Sequence, residues 1–297
     1  DEVITPTFTF IATAEVVALL GLTPVVVDVD YDTMCVTAEA IERAITPRTK
    51  AIVPVHLFGQ NADMESILKV ARKHNLFVVE DACQSMGSKC TFSDGRVVAS
   101  GTMGDIGCTS FFPSKNLGCY GDGGALFTND DELAQKIRVI ANHGMEVRYH
   151  HDVVGVNSRL DSIQAAVLLA KLPHLDEYIE VRQKAAAYYS EALKGDARFL
   201  TPKVGHGTTH AFHQYTLRCV GVDRDALREQ LAAKGVPAMV YYPIPLHQQK
   251  AYQDARYKAG DFPVAEKLAR EVLSLPMHTE LDAEQLEYIV NRLVDKE

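Results

Sequence analysis

Lys115 stands where an apolar run meets a glycine-rich turn, in SFFPSKNLGCYGDGGA (residues 110–125). An ammonium group prefers water, so a lysine at the mouth of a buried strand implies work that a hydrated lysine cannot do. A lysine that must lose its proton and attack a carbonyl gains from such a setting, because desolvation favours the neutral amine. Asp81 ends a second apolar run, LFVVED, and ACQSMG follows it directly. Ser110 lies five residues before Lys115, and Phe10, in PTFTFIAT, precedes a helical pattern.

An amine, a carboxylate, a hydroxyl and a flat apolar ring are what an aldehyde cofactor of the pyridoxal phosphate kind requires. The lysine forms a Schiff base with the aldehyde. The carboxylate keeps the pyridine nitrogen protonated, so that the ring accepts electrons. Hydroxyls and helix N-terminal amides hold the phosphate, and an aromatic side chain covers the ring. Singly, each residue has a plainer reading: Lys115 solvated, Asp81 a cap, Ser110 bonded to backbone, Phe10 in a core. The combination is what points to this chemistry.

The elements that must position these groups alternate in period. Apolar runs at EVIT, PVVVDV, KAIVPVHL, LFVVED, IGCTSFF and GALFTN are separated in several places by helical patterns. Met64, Ile67, Leu68 and Ala71 repeat at helical spacing behind Asp63, a suitable N-cap, and Thr37 can cap AEAIERAI in the same way. Near-continuous apolar strands alternating with helices predict an α/β fold, a mainly parallel sheet flanked by helices. In such sheets the loops at the carboxyl ends of the strands carry the chemistry. The pattern predicts a large domain over residues 1–180 and a smaller C-terminal α+β domain over 181–297. A helical stretch from about Leu160 to Gly195, broken near Pro173, connects them. Beyond it the sequence predicts a strand at HQYTLRCV, a helix at RDALREQLAAKG, a strand at PAMVYYP and a last helix. The Leu286, Ile289, Val290 and Leu293 stripe of that helix faces a core.

Bulk properties narrow the function. A net charge of −9 over 297 residues argues against a nucleic-acid groove and an anionic membrane surface. No apolar run reaches membrane-spanning length; Glu15 and Gly21 interrupt the best one. Six scattered cysteines without a Cys-x-x-Cys read as reduced thiols of the cytoplasm. His206, His210 and His213 would line up on a helix, but Gly205, Gly207 and two threonines disfavour one, and no metal is expected. GDGGA lacks the Gly-Lys-Ser/Thr of a phosphate loop, and no Gly-x-Gly-x-x-Gly follows a strand.

VVEDACQSMG, SFFPSKNLGCYGDGGA, NHG, GVNSRLDSIQAA and YYPIPLH, in this order, span the chain. Together they resemble the nucleotide-sugar aminotransferases of the DegT/DnrJ/EryC1/StrS family, which are fold-type I pyridoxal phosphate enzymes. The resemblance implies that Lys115 is the Schiff-base lysine and then the acid–base, and that Asp81 pairs with the pyridine nitrogen. It implies that Gln84 contacts the cofactor near its ring oxygen, Ser110 binds the phosphate and Phe10 stacks on the ring. It implies that Asn157 reaches the phosphate of the neighbouring subunit, making the active unit a homodimer with sites at the interface. Relatives that dehydrate sugars carry histidine at the lysine position, and Lys115 speaks against that activity. In the family a small-residue loop before the DEVITP strand also touches the phosphate; the sequence begins at Asp1, after that segment, which is expected either outside this sequence or missing from the protein.

The implied reaction takes an amino group from an amino acid, L-glutamate, and gives it to a nucleotide-linked ketosugar. Arg159, two residues after Asn157, is suited to a carboxylate or phosphate; its plainer reading is an interface salt bridge. His247 follows a proline-rich turn and is expected to face the sugar; its plainer reading is a loop histidine bonded to backbone. NSRLD paired with YYPIPLH resembles the subgroup acting on UDP-2-acetamido-3-keto-glucuronate, in which Arg159 would hold the uronate. A 4-keto sugar as substrate, and a non-catalytic sensor or scaffold that binds a nucleotide sugar, are the alternatives. The resemblance further implies a cytoplasmic enzyme that supplies a polysaccharide such as lipopolysaccharide.

Overall fold

The structure, a computed structural model, describes residues 1–295. The first half runs β1 (Glu2–Pro6), α1 (Ala12–Leu19), β2 (Thr23–Val27), α2 (Ala38–Ala44), β3 (Thr49–Ile52), α3 (Met64–His74) and β4 (Phe77–Asp81). A hairpin of β5 (Lys89–Thr91) and β6 (Val97–Ala99) precedes β7 (Ile106–Ser110), β8 (Gly124–Phe127) and α4 (Asp131–Ala141). The second half runs α5 (Ser162–Lys171), α6 (Leu175–Ala192), β9 (Phe199–Leu200), β10 (Tyr215–Cys219), α7 (Arg224–Ala233), α8 (Pro263–Glu271), β11 (Val272–Leu275) and α9 (Ala283–Leu293).

Six strands form one sheet in the order β2-β1-β3-β4-β7-β8. All neighbours are parallel except β8, which returns antiparallel to β7. The order reverses at β1: the chain moves outward to β2 and then crosses back to β3. That reversal opens a crevice at the carboxyl ends of the strands. Ile4, Val26, Ile52 and Val78 of the sheet pack with Ile41, Met64 and Ile67 of the covering helices. The capping expected from sequence is present. The Thr37 hydroxyl accepts from the Ala40 amide at 3.2 Å, and the Asp63 carboxylate accepts from the Ser66 amide at 3.2 Å.

A second, antiparallel sheet has the order β11-β10-β9. Tyr215, Leu217, Leu273 and Leu275 pack there against Ala185 and Tyr189 of α6, Leu231 of α7 and Ile289 of α9. The apolar stripe of α9 is buried as its spacing predicts, behind an Asp282–Gln285 capping box. The long helical stretch is interrupted by a 3₁₀ turn, Leu172–His174, that contains Pro173. Proline lacks the amide hydrogen that a continuous helix needs.

One expected strand does not form, and one helix is added. PAMVYYP is not a strand; Met239 alone pairs, exchanging hydrogen bonds with Ser274, because Pro237 and Pro243 bracket the run and cannot donate. Helix α8 has no counterpart in the sequence reading. It opens on Pro263 and packs Ala265, Leu268 and Ala269 onto the first sheet's core. The buried Arg218 of β10 adds a second tie, donating to the Tyr31 carbonyl at 2.7 Å and the Asp32 carboxylate at 2.8 Å.

Candidate active site

A cavity of about 530 Å³ opens at the carboxyl ends of the parallel strands. Lys115, Asp81, Ser110, Gln84 and Phe10 all line it. Five residues read as one constellation from the sequence therefore meet on one set of walls.

Strand β4 ends in two adjacent carboxylates that do different work, because neighbouring residues of a strand face opposite ways. Glu80 is fully buried. It accepts from the His56 Nε2 at 2.8 Å and from the amides of Gly101 (2.9 Å), Met103 (2.5 Å) and Gly104 (2.6 Å). The Ala62 amide donates to His56 Nδ1, so the His56 proton sits on Nε2 and points at Glu80. Burial alone would push the Glu80 carboxyl up, but His56 and the amides outweigh it and hold the group below its usual range. Asp81 turns to the cavity instead. Its Oδ2 accepts from the Thr13 hydroxyl at 2.6 Å and its Oδ1 from the Cys83 amide at 3.2 Å.

Ser110 shares the cavity face with Asp81 through register: Asp81 pairs with Cys108, and Ser110 lies two residues further along β7. Its Oγ accepts from the Phe112 amide at 3.2 Å. Lys115 follows in a tight turn closed by its own amide on the Phe112 carbonyl at 2.9 Å. Asn116 anchors the turn by donating to the Ala211 carbonyl at 2.9 Å. Among the described residues the Lys115 amine has no hydrogen bond or ion pair. Burial pulls its pKa below the ordinary lysine value; the Cys83 thiol and the Asp81 carboxylate oppose that shift.

Phe10 is 56% exposed on the cavity wall, with its ring centroid 6.0 Å from that of Tyr242. Gln84 is engaged by protein on both ends of its amide. Its Oε1 accepts from the Phe58 amide at 2.8 Å, and its Nε2 donates to the Tyr242 hydroxyl at 3.0 Å. One amide hydrogen is left for a ligand.

The remaining expectations land elsewhere. Asn157 and Arg159 lie on an exposed strip, and neither lines this cavity. Arg159 donates to the side chains of Asn157 (3.1 Å) and Asn142 (3.4 Å). His247, expected to face the sugar, does not line this cavity. It is buried, with Nδ1 2.8 Å from the Thr7 hydroxyl and Nε2 3.1 Å from the Glu266 carboxylate, so both ring nitrogens are occupied by side chains of the fold.

Four functional candidates escaped the sequence reading. Thr13 orients Asp81 from the first turn of α1; its signal was its place one helical turn after Phe10. Tyr242 was assigned to a strand that does not form. His213 was weighed as a metal ligand and placed in a strand, and Gln214 only in that strand; both line the cavity.

An oriented carboxylate, a partner-free amine, a hydroxyl and an uncovered aromatic face suit pyridoxal phosphate as a donor set. The wide exposure of Phe10 within a cavity wall is the observation that fits a flat ring laid upon it.

Comparison with known proteins agrees with this chemistry. The DegT/DnrJ/EryC1/StrS aminotransferase family matches residues 1–294. The UDP-N-acetyl-3-dehydro-alpha-D-glucosamine 3-aminotransferase of Acidithiobacillus ferrooxidans is 52% identical over 286 residues, which cover 96% of this chain and 75% of that protein. The UDP-2-acetamido-2-deoxy-3-oxo-D-glucuronate aminotransferase of Pseudomonas aeruginosa is 50% identical over 295 residues, 99% of this chain and 79% of that one. Among solved structures, NtdA from Bacillus subtilis with bound cofactor PMP superposes with a TM-score of 0.89 at 33% identity, covering 100% of this chain and 67% of that one.

Proposed function

Since the chain belongs to the DegT/DnrJ/EryC1/StrS family of pyridoxal-phosphate-dependent aminotransferases, we propose that it aminates C3 of a UDP-linked 2-acetamido-3-keto sugar, with L-glutamate as donor. The observation that carries the reading is the partner-free amine of Lys115 sharing a cavity with the oriented Asp81 carboxylate.

Pyridoxal phosphate supplies, when bound, an aldehyde for a primary amine and a protonated ring that takes up the electrons released when a proton leaves the amine-bearing carbon. Lys115 Nζ would hold it covalently. Once displaced, the same nitrogen would move the proton away from the donor's carbon, and in the sugar half it would deliver a proton to the carbon that receives the amine. Burial supports that role, because it keeps more of the amine neutral at neutral pH. Asp81, oriented by Thr13 and by the Cys83 amide, would hold the proton on the pyridine nitrogen. Ser110 would donate to the phosphate, Phe10 would cover the ring, and Gln84 would offer its remaining amide hydrogen. Phe10, Phe112 and Tyr242 wall the cavity with apolar surface and reduce the access of water.

The active unit in this reading is a homodimer. The strip that holds Asn157 and Arg159 also exposes Val147, Val153, Val154 and Val156, with Val154 97% exposed, and such an apolar patch is suited to a second subunit. Asn157 then reaches the partner's phosphate site, and Arg159 reaches its sugar. Six free thiols support a reducing compartment, the cytoplasm, and the aminated sugar is suited to a polysaccharide such as lipopolysaccharide.

The two relatives differ at the sugar's sixth carbon, one named for a neutral sugar and one for a uronate. Lys115 is the one cationic side chain lining the cavity among the described residues, so a uronate needs Arg159 from the partner. A panel of UDP-linked 3-keto and nucleotide-linked 4-keto sugars tests the reading. The 3-keto sugars should be preferred by at least about tenfold in kcat/KM. Equal use of a 4-keto sugar would reject amination at C3. Arg159→Ala should cost activity on the uronate and leave the neutral sugar little changed; equal losses on both would reject the carboxylate role.

A further inference from the structure

We propose that His213 is a sugar-binding residue of this cavity: a fixed, neutral imidazole whose Nε2–H donates to an oxygen of the nucleotide-linked sugar. The inference rests on the aminotransferase reading above and concerns a residue that the reading leaves unused.

The His213 backbone is clamped by both halves of the molecule. Ala211 donates to the Gly59 carbonyl at 2.7 Å and Gln214 to the Phe58 carbonyl at 3.2 Å. Arg182 donates to the carbonyls of Phe212 (3.2 Å) and His213 (3.4 Å), and Gln183 donates to that of His210 (3.0 Å). Gly59 makes the approach possible. A Cβ there would stand 2.7 Å from the Phe212 nitrogen and 3.0 Å from the His213 nitrogen, and its φ of +123° suits glycine alone. Such fixing from several sides is what a binding group gains from before its ligand arrives.

The state of the ring follows from its surroundings. His213 is 6% exposed, and its Nδ1 is sealed from water with no hydrogen-bond partner. A proton on Nδ1 would be a buried donor without an acceptor, so the neutral ring carries its proton on Nε2. Nε2 has no protein partner among the described residues and is not among the sealed atoms, while the ring lines the cavity. Burial, with the positive charges of Lys115 and Arg182 adding to it, keeps the imidazole neutral.

Sugar, in preference to the amino-acid donor, follows from charge. The donor's carboxylates call for cations, and Lys115 is the one cation on these walls among the described residues, which also carry the carboxylates of Asp81 and Asp122. His213 and its neighbour Gln214 instead offer neutral side-chain polar groups without protein partners among the described residues, the complement of hydroxyl and acetamido oxygens.

The test uses the holoenzyme. His213→Leu removes the donor, and His213→Gln keeps an N–H at similar reach. The leucine variant should raise KM for the ketosugar roughly 5-fold to 10-fold, the worth of one neutral hydrogen bond, and weaken UDP-N-acetylglucosamine binding by calorimetry to the same extent. The glutamine variant should recover most of the loss. The glutamate-driven change in the cofactor's visible spectrum should slow far less than the sugar half. In ¹⁵N-histidine spectra of the wild-type holoenzyme at neutral pH, the His213 ring should be neutral with its proton on Nε2, and that signal should move on adding UDP-N-acetylglucosamine. Unchanged sugar affinity in the leucine variant overturns the proposal, as does equal slowing of the glutamate half or an imidazolium signal. If the wild type shows no spectral response to glutamate, the aminotransferase reading fails, and the calorimetry and ¹⁵N spectra still decide His213 by themselves.

Discussion

Replacing Thr13 by valine isolates one hydrogen bond. Thr13 is 5% exposed at the start of α1, and its hydroxyl reaches Asp81 Oδ2 at 2.6 Å. Valine has nearly the same shape, so packing is kept and only the donor is lost. A hydrogen bond to a charged group contributes about 1.5–3 kcal/mol net. The Cys83 amide remains on Oδ1 at 3.2 Å, so Asp81 keeps one of its two donors and the loss falls at the lower end, about 1.5 kcal/mol. That is roughly a factor of ten in an equilibrium or a rate. Asp81 holds the ring-nitrogen proton in the proposed mechanism, so the loss should appear in two places: cofactor dissociation, followed by absorbance during dialysis, and kcat at saturating substrates. Thr13→Ser restores the donor and should recover most of both. The reasoning is refuted if the valine variant stays within about twofold of wild type in both measurements, or if the serine variant is as impaired as the valine variant.

Lys115→Ala should reduce turnover by about a thousandfold or more, since it removes both the anchor and the proton carrier; turnover within a few-fold of wild type removes the assignment. In the wild type, the pH profile of kcat should show the limb for the freed lysine below the ordinary value near 10.4, because burial lowers its pKa. Asp81→Ala should slow the reaction far more than Asp81→Glu, measured as kcat under identical cofactor saturation. Glu80→Gln should cost about 3 kcal/mol of folding stability at neutral pH by urea titration, because it replaces a buried carboxylate that accepts hydrogen bonds from His56 and three amides by an amide that cannot accept them all. The folded-state pKa of Glu80 is depressed, so its contribution is present above the unfolded value near 4.3 and is lost as pH falls through the folded value. The gap between wild type and variant should therefore close below about pH 4. His247→Leu should lower stability by about 2 kcal/mol through loss of the Thr7 and Glu266 bonds while kcat/KM changes little; a selective loss of sugar affinity would return His247 to the site.

The amino-acid order alone determined whatever depends on residues close together in the chain. Helix α3 is readable from a four-residue period behind the Asp63 cap, α9 from its apolar stripe, and the break before α6 from Pro173, because these signals act within one or two turns. Lys115 and Asp81 are readable for a related reason: each sits at or just beyond the end of a β-branched run, where parallel sheets put their functional loops. Alternation also says that Glu80 and Asp81 face opposite ways. It does not say which of them meets the cavity; the pairing of Asp81 with Cys108 of β7 decides that. Thr13 finds Asp81 across 68 residues, and His247 finds Thr7 across 240. A side chain's partner at such range is chosen by how the elements pack, and so is the sealing of His213 Nδ1. PAMVYYP has the composition of a strand, yet its flanking prolines cannot donate and its tyrosines go to the cavity instead. Local pattern is written in the chain, whereas the surroundings of each polar atom exist only once distant segments have closed around it.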